Sequence, residues 1–308
     1  MNKPGLPLRD GVSASTKVLP PLNELSFKPT NLLSFLEHPE QNPQGLDWEN
    51  RLKTGLVRDA DGQSLPPDAP YVPGLRIYYW RDAGAEPRIP FDEQIIYQDE
   101  HILVADKPHF LPVTPTGRYV KETLLVRLKN RTGLADLTPM HRIDRDTAGL
   151  VMFCIRPQDR NAYAQMFRER GLHKTYECIA PFSADLQFPL VRQTRLVTSP
   201  DSFMQMIETA GAANSETRIS LLERCGPWAR YGLQPISGKR HQLRVHMHGL
   251  GLPILGDGIY PVLSPESALP DYQHPLQLLA KELAFEDPIT QRKHQFASGL
   301  SLKILSNL

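Results

Sequence analysis

At 308 residues, 40% of them apolar and 22% charged, the chain can bury one large core or two modest ones. A formal net charge of +1 excludes a globally basic nucleic-acid coat, and no apolar run nears the roughly 20 residues of a membrane helix. Cys154, Cys178 and Cys225 form no C-x-x-C pair and 1–23 has no continuous apolar stretch for a secretory signal, so reduced thiols and a cytoplasmic location are expected.

Thirteen of the twenty-nine prolines precede Phe91, so residues 1–45 read as an extended, poorly ordered lead with one short helix at 32–37. In 46–88, a basic helix end at Arg51 and Lys53 precedes two strand signals separated by an Asp61-Gly62 turn. From 89 onward the pattern is that of a compact α+β domain. Residues 94–97 and 101–105 read as strands across a polar turn. A helix is predicted over 121–131, with Leu124, Leu125 and Leu128 as its apolar stripe. A second helix is predicted over 157–170, with Tyr163, Met166 and Phe167 inward and Gly171 as its cap. Strand signals then continue to the end.

Three segments carry chemistry. The first is His141-Arg142-Ile143-Asp144-Arg145-Asp146-Thr147-Ala148-Gly149-Leu150, which sets a carboxylate between two arginines just before an apolar run. Neighbouring guanidiniums favour an ionised carboxylate, which suits a nucleophile or base facing phosphates. Asp146 reads as a hydrogen-bonding partner for the following turn. The second segment, 173–181, alternates as a strand, with Lys174, Tyr176 and Cys178 on one face. The third is Ser237-Gly238-Lys239-Arg240-His241-Gln242-Leu243-Arg244-Val245-His246. There a helix is predicted that puts Arg240 and Arg244 on one face, and 252–260 follows as a strand and turn. Between Lys121 and Thr175 eleven Lys and Arg face six Asp and Glu, a local basic excess around the first segment that fits RNA phosphates.

Together these segments resemble the RluA-type pseudouridine synthases. The family's first motif is His-Arg-Leu-Asp-Arg-x-Thr-Ser-Gly, from which this chain departs at Ile143 and Ala148. The second, Lys-x-Tyr-x-Ala, falls on Lys174 to Cys178. The third, Thr-Gly-Arg-x-His-Gln-Ile-Arg-x-His, is met with Ser237 and Lys239 as departures. The resemblance spans about 90–296. It implies an α+β pseudouridine synthase fold: a largely antiparallel mixed sheet with flanking helices and a central cleft. It makes Asp144 the catalytic carboxylate, Tyr176 the residue stacked on the base and a candidate general base, and Arg244 the ion-pair partner of Asp144. RNA contacts are expected from Arg142, Arg145, Lys174, Lys239, Arg240, His241 and Gln242, with Arg142 filling the space that the target vacates. The implied partner is a structured rRNA or tRNA with a flipped-out uridine. The implied protein is a monomer with no cofactor, no metal and no membrane contact. Residues 46–88 resemble the second half of a small RNA-binding module that often precedes this domain.

Three other readings compete. His141, Asp144, Asp146, His241, His246 and His248 supply ligand types for a metal-dependent hydrolase, although the adjacent arginines oppose a cation. An RNA-binding protein of the same fold without catalysis would not require the catalytic positions to be filled, as they are. A glycoside hydrolase needs a second, protonated carboxylate across the sugar, and Asp146 is too close in sequence to supply it.

Overall fold

The computed structural model describes residues 6–43, 45–80, 86–169, 171–264 and 271–303. They fall into two compact units. One is drawn from Met1–Glu86, Gly117–Lys121 and Lys129–Ala135, the other from Pro87–Thr116, Glu122–Leu128 and Asp136–Leu308.

In the first unit, strand β1 (Ser15–Val18), helices α1 (Leu32–Leu36) and α2 (Trp48–Lys53), and strands β2 (Val57–Arg58) and β3 (Arg76–Tyr79) form a small layer in sheet order β1-β3-β2. The expected extended lead differs from what is found, apart from Met1–Gly5 and Gln44, which lie outside the described residues. Leu19, Leu32, Phe35 and Leu36 are buried with Trp48, Leu52, Val57 and Ile77 in one core. The helix start is fixed locally. Asn31 Oδ1 accepts the Ser34 N–H while Ser34 Oγ accepts the Asn31 N–H, a reciprocal capping box. The basic helix end does not face outward as a pair of free cations. Arg51 is buried and donates to the Trp80 carbonyl at 2.6 Å, and Lys53 pairs with Glu49.

The second unit contains β4 (Gln94–Gln98), β5 (Ile102–Lys107), residues Leu124–Leu128 of helix α3 (Leu124–Thr132), β6 (Thr138–Pro139), β7 (Ala148–Cys154), α4 (Arg160–Arg168), β8 (Leu172–Pro181), β9 (Leu190–Thr198), β10 (Met206–Thr209), β11 (Ser215–Cys225), β12 (Trp228–Pro235), α5 (Gln242–Gly249), β13 (Leu278–Glu286) and β14 (Lys293–Ala297). Among the described residues they make one sheet in the order β10-β9-β11-β12-β8-β13-β7-β5-β4, with β14 on β13 and β6 on β7. Every pairing is antiparallel except β13 with β7. This is the α+β, largely antiparallel mixed sheet expected.

Two cores hold the sheet. Tyr176, Cys178, Ile219, Tyr231, Leu233, Leu243 and Met247 bury β8, β11 and β12 against α5. Ile102, Val104, Met152, Tyr163, Met166, Leu283 and Phe285 bury β5, β7 and β13 against α4. Helix α3 starts at Leu124, later than expected, because the Leu124 and Leu125 N–H groups bond the Pro112 and Val113 carbonyls. Pro157–Asp159 is a 3-10 turn leading into α4, and Gly171 N–H closes on the Met166 carbonyl; Arg170, the expected helix end, lies outside the described residues. Residues 252–260 form turns, with no strand assigned there.

Candidate active site

A small open cleft of about 100 Å³ lies in the second unit. Its lining includes Arg142, Asp144, Lys174, Tyr176, Lys239 and Arg244. Asp144, Tyr176 and Arg244 come from three separate segments: β13 pairs with both β7 and β8, and α5 packs on the core beneath β8, β11 and β12.

Asp144 sits on the turn between β6 and β7, closed by the Thr147 N–H donating to the Asp144 carbonyl at 3.2 Å. Parallel strand β13 then runs beside β7 with Gly149 opposite Ala280. Gly149 has φ +111°, and a Cβ there would overlap the Ala280 backbone. That explains the Ala-Gly end of the segment: nothing larger than hydrogen fits where β13 crosses. From below, the fully buried Lys107 donates to the Pro108 and Arg145 carbonyls, each at 2.9 Å. Burial lowers its pKa to about 7 against the pull of Asp146 and Asp144. His109 Nδ1 lies 2.7 Å from the Asp146 carbonyl. Neither Lys107 nor His109 falls in the three sequence segments that carry chemistry.

Arg244 is the hub. Its Nη1 donates to Asp144 Oδ2 at 3.2 Å, while Nη2 and Nε grip Asp257 Oδ1 and Oδ2 at 2.5 and 2.8 Å. The side chains of Arg244 and Asp257 are 2% and 1% exposed, that of Asp144 26%. Burial lowers the Arg244 pKa, but the Asp257 hydrogen bonds and charge outweigh it and hold the value above normal. Asp257 also accepts the Ile259 and Tyr260 N–H groups. Its carboxylate therefore organises 252–260 as a turn and replaces the strand expected there. Sequence reading noted this run but not its ion pair.

Tyr176 is buried on β8, and among the described residues no hydrogen-bond partner is found for its hydroxyl. Burial and the Asp144 charge push its pKa up, so the phenol is protonated at neutral pH. This weighs against the general-base role suggested for it.

The remaining expected residues separate. Arg142 and Lys239 are exposed at the cleft, and Lys174 is half-buried in its wall. Arg145 is held by Asp146, at 2.8 and 3.3 Å, so the Asp146 carboxylate serves this arginine rather than the following turn. Burial raises the Asp146 pKa, but the Arg145 hydrogen bond and surrounding cations leave it below normal. Helix α5 begins at Gln242, and left-handed His241 (φ +54°) is its cap residue. Arg240 therefore lies outside the helix and shares no helical face with Arg244. Its guanidinium donates to the Phe203 carbonyl at 2.6 Å. Gln242, expected at the RNA, is 3% exposed and fully committed internally. Its Oε1 accepts from Ser237 and the Lys239 N–H, and its Nε2 donates to Glu216 and Thr217. His241 Nδ1 lies 3.1 Å from the Tyr260 hydroxyl, and burial lowers its pKa.

The histidines considered as metal ligands enter different networks. His141 Nε2 accepts the Met152 N–H at 3.1 Å, and burial holds its pKa near 3. His246 is enclosed by Thr194, Ser215 and Thr217. Among the described residues, no group of three or more His, Cys, Asp or Glu is placed to hold a metal, and no helix is long and apolar enough to cross a membrane.

Comparison with known proteins finds pseudouridine synthases. A family model described as RNA pseudouridylate synthase matches residues 101–249, which include all three segments. An uncharacterised RNA pseudouridine synthase of Synechocystis is 28% identical over 232 residues, covering 74% of this chain and 79% of its own. The dual-specificity RNA pseudouridine synthase RluA of Vibrio cholerae is 33% identical over 201 residues, 63% of this chain and 77% of its own. Among solved structures, human RNA pseudouridylate synthase domain containing 1 superposes with a TM-score of 0.56 at 21% identity, over 70% of this chain and 86% of that one.

Proposed function

The chain belongs to the RluA-type family of RNA pseudouridine synthases, and on that premise we propose that Asp144 is the carboxylate through which it isomerises a flipped-out uridine in a structured rRNA or tRNA. The observation that carries the assignment is the chain Asp257–Arg244–Asp144, in which a buried arginine, fixed by one carboxylate, presents a third N–H to another that faces the cleft.

Isomerisation breaks the N-glycosidic bond and makes a C-glycosidic bond to the same sugar, so it needs no redox partner. Asp144 either attacks C1′ or stabilises its developing positive charge, as carboxylates do in glycoside chemistry; alternatively it helps remove a sugar proton to give a glycal. On either route Arg244 orients the carboxylate, and a preorganised charge of this kind contributes several kcal/mol to lowering a barrier. Tyr176 stacks on the base; its raised pKa favours that role over proton abstraction. Asp144 lies within a cleft, so the uridine must leave its stack, which costs a few kcal/mol and least in loops. Arg142 and Lys239, exposed at the cleft, are assigned to the RNA backbone and the vacated space. One relative's name supports a tRNA target: a yeast protein, 30% identical over 171 residues and matched over 37% of its own length, is named a mitochondrial tRNA pseudouridine(32) synthase, while the Vibrio cholerae protein is named dual-specificity.

The test is a pseudouridine map of ribosomal and transfer RNA in cells lacking the gene, cells given it back, and cells given Asp144→Ala. A site lost with the gene and restored only by the unaltered protein identifies substrate and residue together. Restoration by the alanine variant would overturn the assignment of Asp144. No change at any site would favour an RNA-binding protein without catalysis.

A further inference from the structure

Most cations around the cleft have visible partners. Arg244 is held by Asp257 and Asp144, Lys107 by two carbonyls, and Arg240 by the Phe203 carbonyl. Among the described residues the Arg142 and Lys239 side chains have no partner, but both are exposed, where water serves. Lys174 differs. It lines the wall of the cleft, is half-buried, and among the described residues no carboxylate or carbonyl is found within hydrogen-bond reach of its ammonium. Burial alone lowers its pKa. A partly desolvated ammonium with no such partner is costly, and an apolar side chain of similar length would remove that cost. Its presence points to negative charge that enters the cleft with the substrate.

The strand geometry indicates which charge. Lys174 and Tyr176 are two residues apart on β8, so their side chains leave the same face about 6.6 Å apart along the strand. If Tyr176 stacks on the base, Lys174 is beside the base rather than the ribose-phosphate. Phosphates stay hydrated at the rim, where Arg142 and Lys239 are exposed. We propose that Lys174 is a catalytic residue whose ammonium stabilises the negative charge that develops on the uracil ring as the C1′–N1 bond breaks. The inference rests on the isomerase reading above.

The bond's electron pair passes to N1 and spreads over O2 and O4, giving a uracil monoanion on either the nucleophilic or the glycal route. Joining C5 to C1′ then releases the C5 proton and returns a proton to N1, so atoms and electrons balance without a co-reactant. The ammonium keeps its protons throughout and donates to a uracil oxygen at about 2.7–2.9 Å. The ring is neutral before cleavage and anionic during it. The contact therefore strengthens toward the transition state and acts on kcat more than on affinity.

The test uses the full chain as wild type, Lys174→Met and Lys174→Arg, with two transcripts of the RNA site found by the map above. One carries uridine at the target, the other 5-fluorouridine, whose electron-withdrawing fluorine already stabilises the departing base. On uridine the single-turnover readout is pseudouridine formed; on 5-fluorouridine, which has no C5 proton to release, it is loss of the starting nucleoside as C5 joins C1′ and water adds across C6 and N1. Both are followed by nuclease digestion and chromatography, and affinity by filter binding. On uridine, Lys174→Met is expected to slow conversion by about tenfold or more with affinity little changed. That deficit shrinks on 5-fluorouridine, Lys174→Arg recovers part of the rate, and the melting temperature of Lys174→Met does not fall. An equal deficit on both transcripts, a loss confined to affinity, a lowered melting temperature or a wild-type rate would each overturn the proposal. A wild-type protein inactive on the uridine transcript would refute the isomerase reading, and this inference with it.

Discussion

Arg244 has two carboxylate partners, and the structure predicts that they are not equivalent. Asp257 holds it through two bonds in a site 1% exposed; Asp144 holds it through one, at 3.2 Å, with a quarter of its side chain open to the cleft. Truncating Asp257 to alanine leaves a buried guanidinium with a single, partly solvated counter-charge and strips the acceptor from two turn N–H groups. Breaking a buried pair costs about 3–5 kcal/mol. The lower end is expected here because Asp144 remains. Asp144→Ala leaves the bidentate pair intact, and a solvent-facing pair is worth about 0–1 kcal/mol. The assay is urea unfolding of both variants, paired with release of tritium from C5 of the target uridine. Asp257→Ala is expected to lower the unfolding midpoint clearly and to retain a residual kcat, reduced on the order of 100-fold because Asp144 loses its orientation. Asp144→Ala is expected to leave the midpoint nearly unmoved and release no tritium. Equal destabilisation by the two variants, or an unmoved midpoint for Asp257→Ala, would refute this account of Arg244.

Gly149→Ala places a Cβ against the Ala280 backbone at a positive φ. Strain of about 1–3 kcal/mol is expected before any overpacking, seen as a lower urea midpoint and lower soluble yield. His141 has its pKa depressed to about 3, so between pH 6.5 and 3 the unfolded chain binds a proton that the folded one does not. Stability should therefore fall as pH drops through that window. His141→Gln should flatten the slope by up to one proton, about 1.4 kcal/mol per pH unit; an unchanged slope in urea midpoints would refute the assignment. Arg142→Ala should weaken binding of unfractionated tRNA several-fold and reduce the salt dependence by roughly one counterion, measured by filter binding across a salt series.

What could be read from the sequence follows from how local each feature is. The strands β4, β5 and β8 and the helices α3 and α4 show their own apolar periods, so they were legible within a few residues. The lead was misread because Leu19, Leu32, Phe35 and Leu36 are scattered among prolines and acquire meaning only against Trp48 and Ile77. In the cleft, Asp144, Tyr176 and Arg244 are picked out by motifs, whereas Lys107 and Asp257, which hold their surroundings in place, are not. Each missed residue works through a partner distant in sequence, the Arg145 carbonyl for one and Arg244 for the other. Gln242 shows the reverse case: a polar residue inside a motif looks substrate-facing, but burial and internal partners claim it. The same distinction gives Lys174 its interest: a motif identifies the residue, and only the fold reveals a half-buried ammonium with no internal partner in evidence. Within one cleft, then, the cations divide by partner. Those held by the protein's own acceptors set geometry, and those with no partner among the described residues are the ones we propose the incoming RNA neutralises.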